Sequence, residues 1–258
     1  METENASNRS RFETIKKSKT KPVLVFLFLL VSLIVLSFFS VNWYKSQAIK
    51  NVKISGNSIL SNLEISELIE KDITNSSVDG IDLLQVEHKL QQHDYISTAK
   101  VWFNSKGILG IDVKERYPVA IVVDNLNRLS FVDNEANLLP YRFHKEFSNL
   151  PIISNVFNNS KINKSAITGA LLIVDELESN KYNLKNFISE IIYVSNNIGY
   201  KLFLSDPALP IIFGKTNDIS NKLDKLHIFW KNKLLASSFD NSIKGLDIRW
   251  QDIVIVQQ

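Results

Sequence analysis

An uncharged apolar run from residue 23 to residue 41 dominates the hydropathy pattern of the chain. A helix of about 19 apolar residues is long enough to cross the hydrocarbon core of a bilayer. A cleaved signal peptide is the alternative, but its apolar part is usually roughly 7 to 15 residues long. The small-x-small sequence that would serve as a cleavage site, Ser46-Gln47-Ala48, is weak. We therefore predict a transmembrane helix over 23–41.

The charges before this run predict its orientation. Six basic residues precede it, against three acidic ones. Because positive charge is retained on the cytoplasmic side, residues 1–22 are predicted to form a cytoplasmic tail. Residues 42–48 then form a short stalk, and the remainder lies outside the cytoplasm. The basic residues of the tail are Arg9, Arg11, Lys16, Lys17, Lys19 and Lys21.

Residues 49–117 are predicted to form a first small domain. Apolar and polar positions alternate over 51–55, as on a half-buried strand, and they alternate again over 99–103 and 111–115. The last two stretches are separated by a Lys-Gly turn, which is typical of a hairpin. The pattern predicts three strands in one sheet.

Two helices are predicted between the first and second of these strands. Ser61 and Glu64 match a capping box, and apolar residues follow at helical spacing. Asp82 is placed to cap the second helix. The order β-α-α-β-β therefore predicts an α+β layer in which two helices cover one face of the sheet.

Residues 118–258 are predicted to form a second domain, a mixed β-sheet with two helices. The helices are expected over about 163–179 and 218–236, where apolar residues form one stripe. Strands are expected at 119–123, 129–131, 150–156, 188–194, 199–204, 210–213, 244–250 and 252–257. The overall fold class is thus α+β, preceded by a transmembrane helix.

Composition narrows the classes of function. The chain has 30 basic and 27 acidic residues, and the excess of three equals that of the predicted tail. The external part is therefore formally neutral and gives no support for nucleic-acid binding. The chain has no cysteine, which excludes disulfides, a thiolate nucleophile and cysteine metal sites.

Fragments that imitate catalytic motifs lack the context that the chemistry needs. Gly214 begins a Gly-Lys-Thr triplet, but the glycine that a phosphate loop requires five positions earlier is missing. Ser97 and Lys100 have Ser-x-x-Lys spacing on a predicted strand, where they point to opposite faces. His88 and His93 are off the helical spacing of a zinc pair. We predict no enzymatic activity, no cofactor, no metal and no small-molecule substrate.

The residues resemble a known family of bacterial division proteins. The first domain is similar to the POTRA domain of FtsQ and DivIB, and later motifs resemble the β domain of the same family. The stretches that carry the first likeness are Val52–Asn57, Asp82–Leu84, Tyr95–Val101 and Ile111–Ala120. Those that carry the second are Phe131–Asp133, Leu139–Pro140, Asn149–Pro151 and Gly245–Arg249.

The resemblance implies a scaffold rather than an enzyme. Proteins of this family link early and late division proteins at the septum. They bind small single-pass coiled-coil proteins of the FtsB and FtsL type, or DivIC and FtsL in the DivIB setting. Other components of the division machinery are expected as further partners. The implied location is the inner membrane, with a cytoplasmic N-terminus and the bulk of the chain in the periplasm.

The last strand is the predicted partner site. Ile253, Val254, Ile255 and Val256 are all β-branched and include no lysine or proline to blunt an exposed edge. A strand at a sheet edge can pair with an extended partner segment, while an ordinary internal strand is the alternative. Arg249 and Trp250 precede it and are residue types that dominate binding hot spots. A core position for Trp250 and a solvated or paired surface charge for Arg249 are the alternatives.

A second partner site is expected along an exposed strand of the first domain, near 99–103 or 111–114. Two rival functions are a different POTRA-bearing adaptor and a membrane-anchored cell-wall hydrolase. The first rival requires a β-barrel or repeated POTRA units, and the second requires convergent catalytic groups. The sequence offers neither.

Overall fold

The computed structural model describes residues 20–45, 49, 51–73, 80–104, 107–158, 161–179, 184–234, 242–251 and 253–258. The predicted basic tail therefore lies outside the described residues, except for its last three positions. Residues 46–48 of the predicted stalk lie outside them as well.

Helix α1, Thr20–Lys45, contains the apolar run. Its stretch Val23–Asn42 is long and apolar enough to cross a membrane, and its side chains are not buried against the rest of the protein. Such a helix is compatible with a single-pass membrane protein. It extends beyond the predicted 23–41 by three residues before the apolar run and four after it.

The first sheet has the order β1-β3-β2, with β1 parallel to β3 and β2 antiparallel to it. The predicted order of strands and helices is confirmed. Since β3 is paired on both sides, the prediction of an exposed strand at 111–114 is wrong. The elements are β1 Asn51–Ser55, α2 Asn62–Ile73, α3 Leu83–Gln91, β2 Ile96–Phe103 and β3 Ile108–Glu115.

Both predicted helix caps are present. The backbone N–H of Ser61 donates to Glu64 Oε2 at 2.8 Å, and the N–H of Glu64 donates to Ser61 Oγ at 3.2 Å. Asp82 accepts from the first backbone N–H groups of α3. Glu64 also accepts from Arg142 Nη2 of the second domain at 2.7 Å, so this cap joins the two domains.

The stabilisation by Glu64 should depend on pH. The hydrogen bond from Ser61, followed by that from Arg142, lowers the pKa of Glu64 from 4.5 to about 2. A lowered folded-state pKa stabilises the fold above the unfolded pKa, and the effect is lost as the pH falls from 4.5 to about 2. The melting temperature of Glu64→Gln should therefore lie below that of the native chain at pH 7, and the gap should close near pH 2. A pH-independent gap would contradict this linkage.

The second domain is built on one large sheet. Within the described residues its nine strands have the order β14-β13-β12-β11-β10-β7-β4-β5-β6. The strands, including the separate hairpin β8–β9, are β4 Ala120–Val123, β5 Leu129–Val132, β6 Leu138–Pro140, β7 Ile152–Ser154, β8 Phe157–Asn158, β9 Lys161–Ile162, β10 Ile188–Ser195, β11 Gly199–Leu204, β12 Pro210–Gly214, β13 Gly245–Asp247 and β14 Ile255–Gln257.

Helices α4, Lys164–Ser179, and α5, Ile219–Phe229, cover one face of this sheet. α5 continues as a π-helical turn over Trp230–Leu234. Beneath the helices, a cross-strand row of apolar side chains connects seven strands. The row consists of Val122, Ile153, Ile191, Leu202, Ile211, Leu246 and Val256.

The first domain covers the opposite face at one end of the sheet. Phe131, Leu139 and Phe147 are buried in the same cluster as the core of the first domain. The Tyr95 hydroxyl donates to the carbonyl of Pro140 at 2.6 Å, and burial raises the pKa of Tyr95 to about 12. The β6 edge is therefore held against the first domain.

The buried carboxylate of Asp133 binds Arg116, the residue at which the chain passes from the first domain to the second. Asp133 is 2% exposed and accepts from Arg116 Nη1 at 3.0 Å. It also accepts backbone N–H bonds from Glu135 and Asn137. Because Arg116 directly follows β3, this ion pair fixes the chain where it enters the second domain.

Candidate partner-binding edge

The predicted partner strand lies at an edge of the large sheet. β14 pairs antiparallel with β13, with Leu246 opposite Val256 and Asp247 opposite Ile255. Among the described strands, β14 has no neighbour on its other side. The strand is shorter than predicted, because Ile253 and Val254 precede it in irregular backbone.

The four predicted site residues of the last strand divide between two orientations. Val254 and Val256 are half-buried and pack against the main core. Ile253 and Ile255 are 56% and 41% exposed. Successive side chains on a strand alternate between faces, which accounts for the division. The valines therefore fasten the strand, whereas the isoleucines are available to a partner.

Arg249 is a paired charge. Its Nε and Nη2 donate to the two carboxylate oxygens of Asp247 at 2.9 and 2.6 Å. The pair lowers the pKa of Asp247, chiefly through the side-chain hydrogen bond from Arg249. A bidentate pair fixes the guanidinium in one orientation. The paired alternative for Arg249 is thus the one observed, and the guanidinium keeps partial exposure.

Trp250 is not a core residue, since it is 52% exposed. A lysine of α5 forms a hydrogen bond with its backbone carbonyl. The Lys225 ammonium donates to the carbonyl of Ile248 at 3.3 Å and also to that of Trp250. The backbone of Ile248 and Trp250 is therefore tied to α5, and the half-exposed indole lies beside Arg249, whose Cζ is 6.0 Å from the ring centroid.

Two supporting residues were not predicted from the sequence. Lys225 occupies an ordinary helix position, and nothing in its spacing indicates a contact with the last strands. Gly214 has φ of +82°, and a Cβ there would lie 2.7 Å from Arg249 Cγ. A side chain at 214 would displace Arg249, so the glycine is needed for both its conformation and its size.

A second lysine of α5, also not predicted from the sequence, has a structural role. Lys222 stands on the apolar stripe of the helix and is 4% exposed. It donates to the carbonyl of Lys215 at 2.6 Å, and burial lowers its pKa. A lysine at a stripe position requires such a partner. It fixes the loop before α5 rather than forming a site.

Comparison with protein families identifies the chain. A profile described as FtsQ/DivIB, C-terminal related, matches residues 117–256, and a profile for the FtsQ-type POTRA domain matches residues 47–116. The first match covers more than half of the chain. The chain belongs to the FtsQ/DivIB family. A comparison with curated protein sequences found no match.

Membership of the FtsQ/DivIB family identifies a division-associated protein built from scaffold-type domains. Its edge strand and the exposed residues beside it lie in the region matched by the FtsQ/DivIB profile. Among the described residues, no group of three or more His, Asp and Glu side chains is placed to hold a metal ion. The geometry of the edge is suited to binding an extended chain.

Proposed function

We propose that this FtsQ/DivIB chain is a membrane-anchored scaffold of the division machinery. α1 anchors it in the inner membrane, with the N-terminus in the cytoplasm and the two domains in the periplasm at the septum. It links early and late division proteins and binds single-pass partners of the FtsB, FtsL and DivIC type. The observation that carries the proposal is the position of β14 at the sheet edge.

Binding at this edge would proceed by strand addition. An unpaired edge presents backbone N–H and C=O groups that an extended partner segment can satisfy. The side chains of Ile253 and Ile255 provide apolar contact on the exposed face. Trp250 and the fixed guanidinium of Arg249 stand beside the strand, where they add a flat apolar surface and a cation. Val254 and Val256 contribute by holding the strand on the core.

The POTRA domain offers a second, weaker edge. β2 lies at the margin of the three-stranded sheet, but side chains of α3 occupy part of its outer backbone, since the Val101 N–H donates to Glu87 Oε1 at 2.7 Å and the Ala99 carbonyl accepts from Gln91 Nε2 at 3.5 Å. A partner strand at the predicted stretch 99–103 would have to displace these side chains. The length of β2, eight residues, is sufficient for strand addition. We assign it a supporting role because it lacks the paired arginine and the supporting lysine found at β14.

A membrane pull-down tests the main proposal. The full-length chain is compared with a chain truncated after Arg249, and bound proteins are identified by mass spectrometry. We expect small single-pass coiled-coil proteins to be recovered with the full-length chain and lost on truncation. Thermal unfolding of the truncated chain serves as the control for folding.

Other outcomes have distinct meanings. Equal recovery from two folded proteins would exclude β14 as the site and transfer binding to the POTRA domain or to α1. Recovery of no such partner by either chain would overturn the scaffold function itself.

A further inference from the structure

The POTRA sheet has an uncovered face that the proposed strand-addition sites do not use. Along its strands, side chains alternate between the buried side under α2 and α3 and an exposed side. We call the exposed side the outer POTRA face. Its described exposed members are Asn51, Lys53, Ser55, Thr98, Lys100, Trp102, Asp112 and Lys114.

Trp102 lies flat on this face. Strand register places Gly110 between Lys53 on one side and Trp102 on the other. A Cβ on Gly110 would lie 2.4 Å from Trp102 Cε2, so the glycine makes room for the ring. The indole is nevertheless 47% exposed. A large flat aromatic surface is therefore presented to the surroundings at the centre of the face.

The charge on the face is predominantly positive. Lys53 and Lys100 lie nearest the indole by strand register, Lys114 lies further along β3 opposite Thr98, and Asp112, opposite Lys100, is the acidic residue among the exposed members. Asp112 accepts a hydrogen bond from Ser55 Oγ at 3.1 Å. Within the described part of the chain, none of the three lysines forms an ion pair. Packing over Gly110 accounts for the position of the Trp102 ring. It does not account for the lysines on the same face.

The connection to α1 keeps this face close to the membrane. α1 has 26 residues, about 39 Å of helix, which nearly equals the thickness of a bilayer with its headgroups. Five residues separate Lys45 from β1. A chain of that length spans at most about 20 Å. β1 forms one margin of the outer POTRA face and carries Lys53. The short connection therefore keeps Lys53 close to the lipid headgroups.

We propose that the outer POTRA face docks on the surface of a bilayer that contains anionic lipids. Trp102 enters the interfacial zone, where indole rings are favoured. Lys53, Lys100 and Lys114 contact lipid phosphates. Basic residues close to a membrane are attracted to anionic headgroups, and this attraction falls off within a Debye length. The inference rests on the membrane anchoring stated under Proposed function.

The test uses the full chain reconstituted in vesicles. Because the chain has no cysteine, a single Thr98→Cys residue on the face can carry a bimane fluorophore. Gln85→Cys, exposed on α3 at the opposite side, is the matched control. Quenching by headgroup spin-labelled lipid is measured in phosphatidylcholine vesicles with and without phosphatidylglycerol. We expect stronger quenching at position 98 when phosphatidylglycerol is present, reduced by salt, and unchanged weak quenching at position 85.

A variant without the three lysines of this face distinguishes docking through the face from a general attraction of the protein to anionic lipid. Replacing Lys53, Lys100 and Lys114 with glutamine should lower the docked-to-undocked ratio by roughly a hundredfold, at about fivefold per lysine. The control replaces Lys145, Lys164 and Lys215, which are exposed in the second domain, and changes net charge equally. The control variant should keep the native quenching.

Two failures are distinguishable. Release of the chain from vesicles by alkaline extraction would overturn the proposed anchoring. A chain that stays inserted, with equal quenching at positions 98 and 85 in both lipid mixtures, would overturn docking and leave the anchoring intact. Loss of quenching in both lysine variants would also overturn the assignment to this face.

Discussion

Replacing Trp250 with alanine should weaken binding of the coiled-coil partner by roughly 30-fold or more, about 2 kcal/mol. The indole is 52% exposed on a loop whose carbonyls are held by Lys225. A rigid aromatic side chain loses little conformational freedom on binding, so most of its buried surface contributes to affinity. The affinity is measured by titrating the full chain in detergent with the purified partner recovered in the pull-down.

Trp102→Ala is the matched control for this substitution. Trp102 has nearly the same exposure, 47%, but lies on the POTRA sheet. Its replacement should leave the affinity for the β14 partner unchanged, because the ring lies over Gly110 on the face of the sheet and not along the backbone edge of β2. Equal loss of affinity in both variants would indicate a general effect of removing a surface indole, and native affinity in Trp250→Ala would remove this residue from the site.

Asp133→Ala should destabilise the protein by about 3 kcal/mol, the typical cost of breaking a buried ion pair. The substitution leaves Arg116 without its buried partner and also removes the acceptor for two backbone N–H groups in the turn after β5. Denaturant unfolding of the full chain in detergent measures the free energy of unfolding. Because Arg116 joins the domains, the POTRA domain should also become more susceptible to proteolysis.

Glu135→Ala is the control for Asp133. Glu135 contacts the same guanidinium at 2.9 Å, but its side chain is 69% exposed. Exposed ion pairs contribute about 1 kcal/mol or less. An equal loss of free energy of unfolding in the two variants would show that the burial of Asp133 does not increase the stability contributed by its ion pair with Arg116.

Local patterns were enough to predict most of the elements. The caps formed by Ser61, Glu64 and Asp82 are interactions between residues that are close together in the sequence. The structure contains each of them. The helices of the second domain follow from apolar stripes. These features depend on residues within one or two helical turns of each other, which is why spacing is informative.

The features that escaped prediction depend on distant residues. β6 is three residues long and ends in proline, so its sequence has no strand pattern of its own. It is paired because β5 and Tyr95 provide partners. The hairpin β8–β9 and the short extent of β13 and β14 likewise reflect tertiary packing. The central place of β3 reflects strand order, which periodicity does not encode.

The candidate site was predicted in part. Residue type singled out Trp250 and the last strand, and the structure shows Trp250, Ile253 and Ile255 exposed, while their contact with a partner stays a prediction. Residue type did not distinguish Val254 and Val256, which face the core, from Ile253 and Ile255, which face outward. That division depends on where the last strand meets β13. The contributions of Lys225, Asp247 and Gly214 depend on contacts between separate elements.

The two margins of the large sheet are chemically unlike. At β6, Pro140 has no N–H to donate and its carbonyl is taken by Tyr95, while the first domain packs alongside. At β14 the described strands leave the backbone uncovered. If the proposed strand addition takes place, we expect a guest strand at the β14 margin and none at the β6 margin. Strand addition through this sheet would therefore give a discrete complex, one guest for each chain, rather than an open-ended fibre.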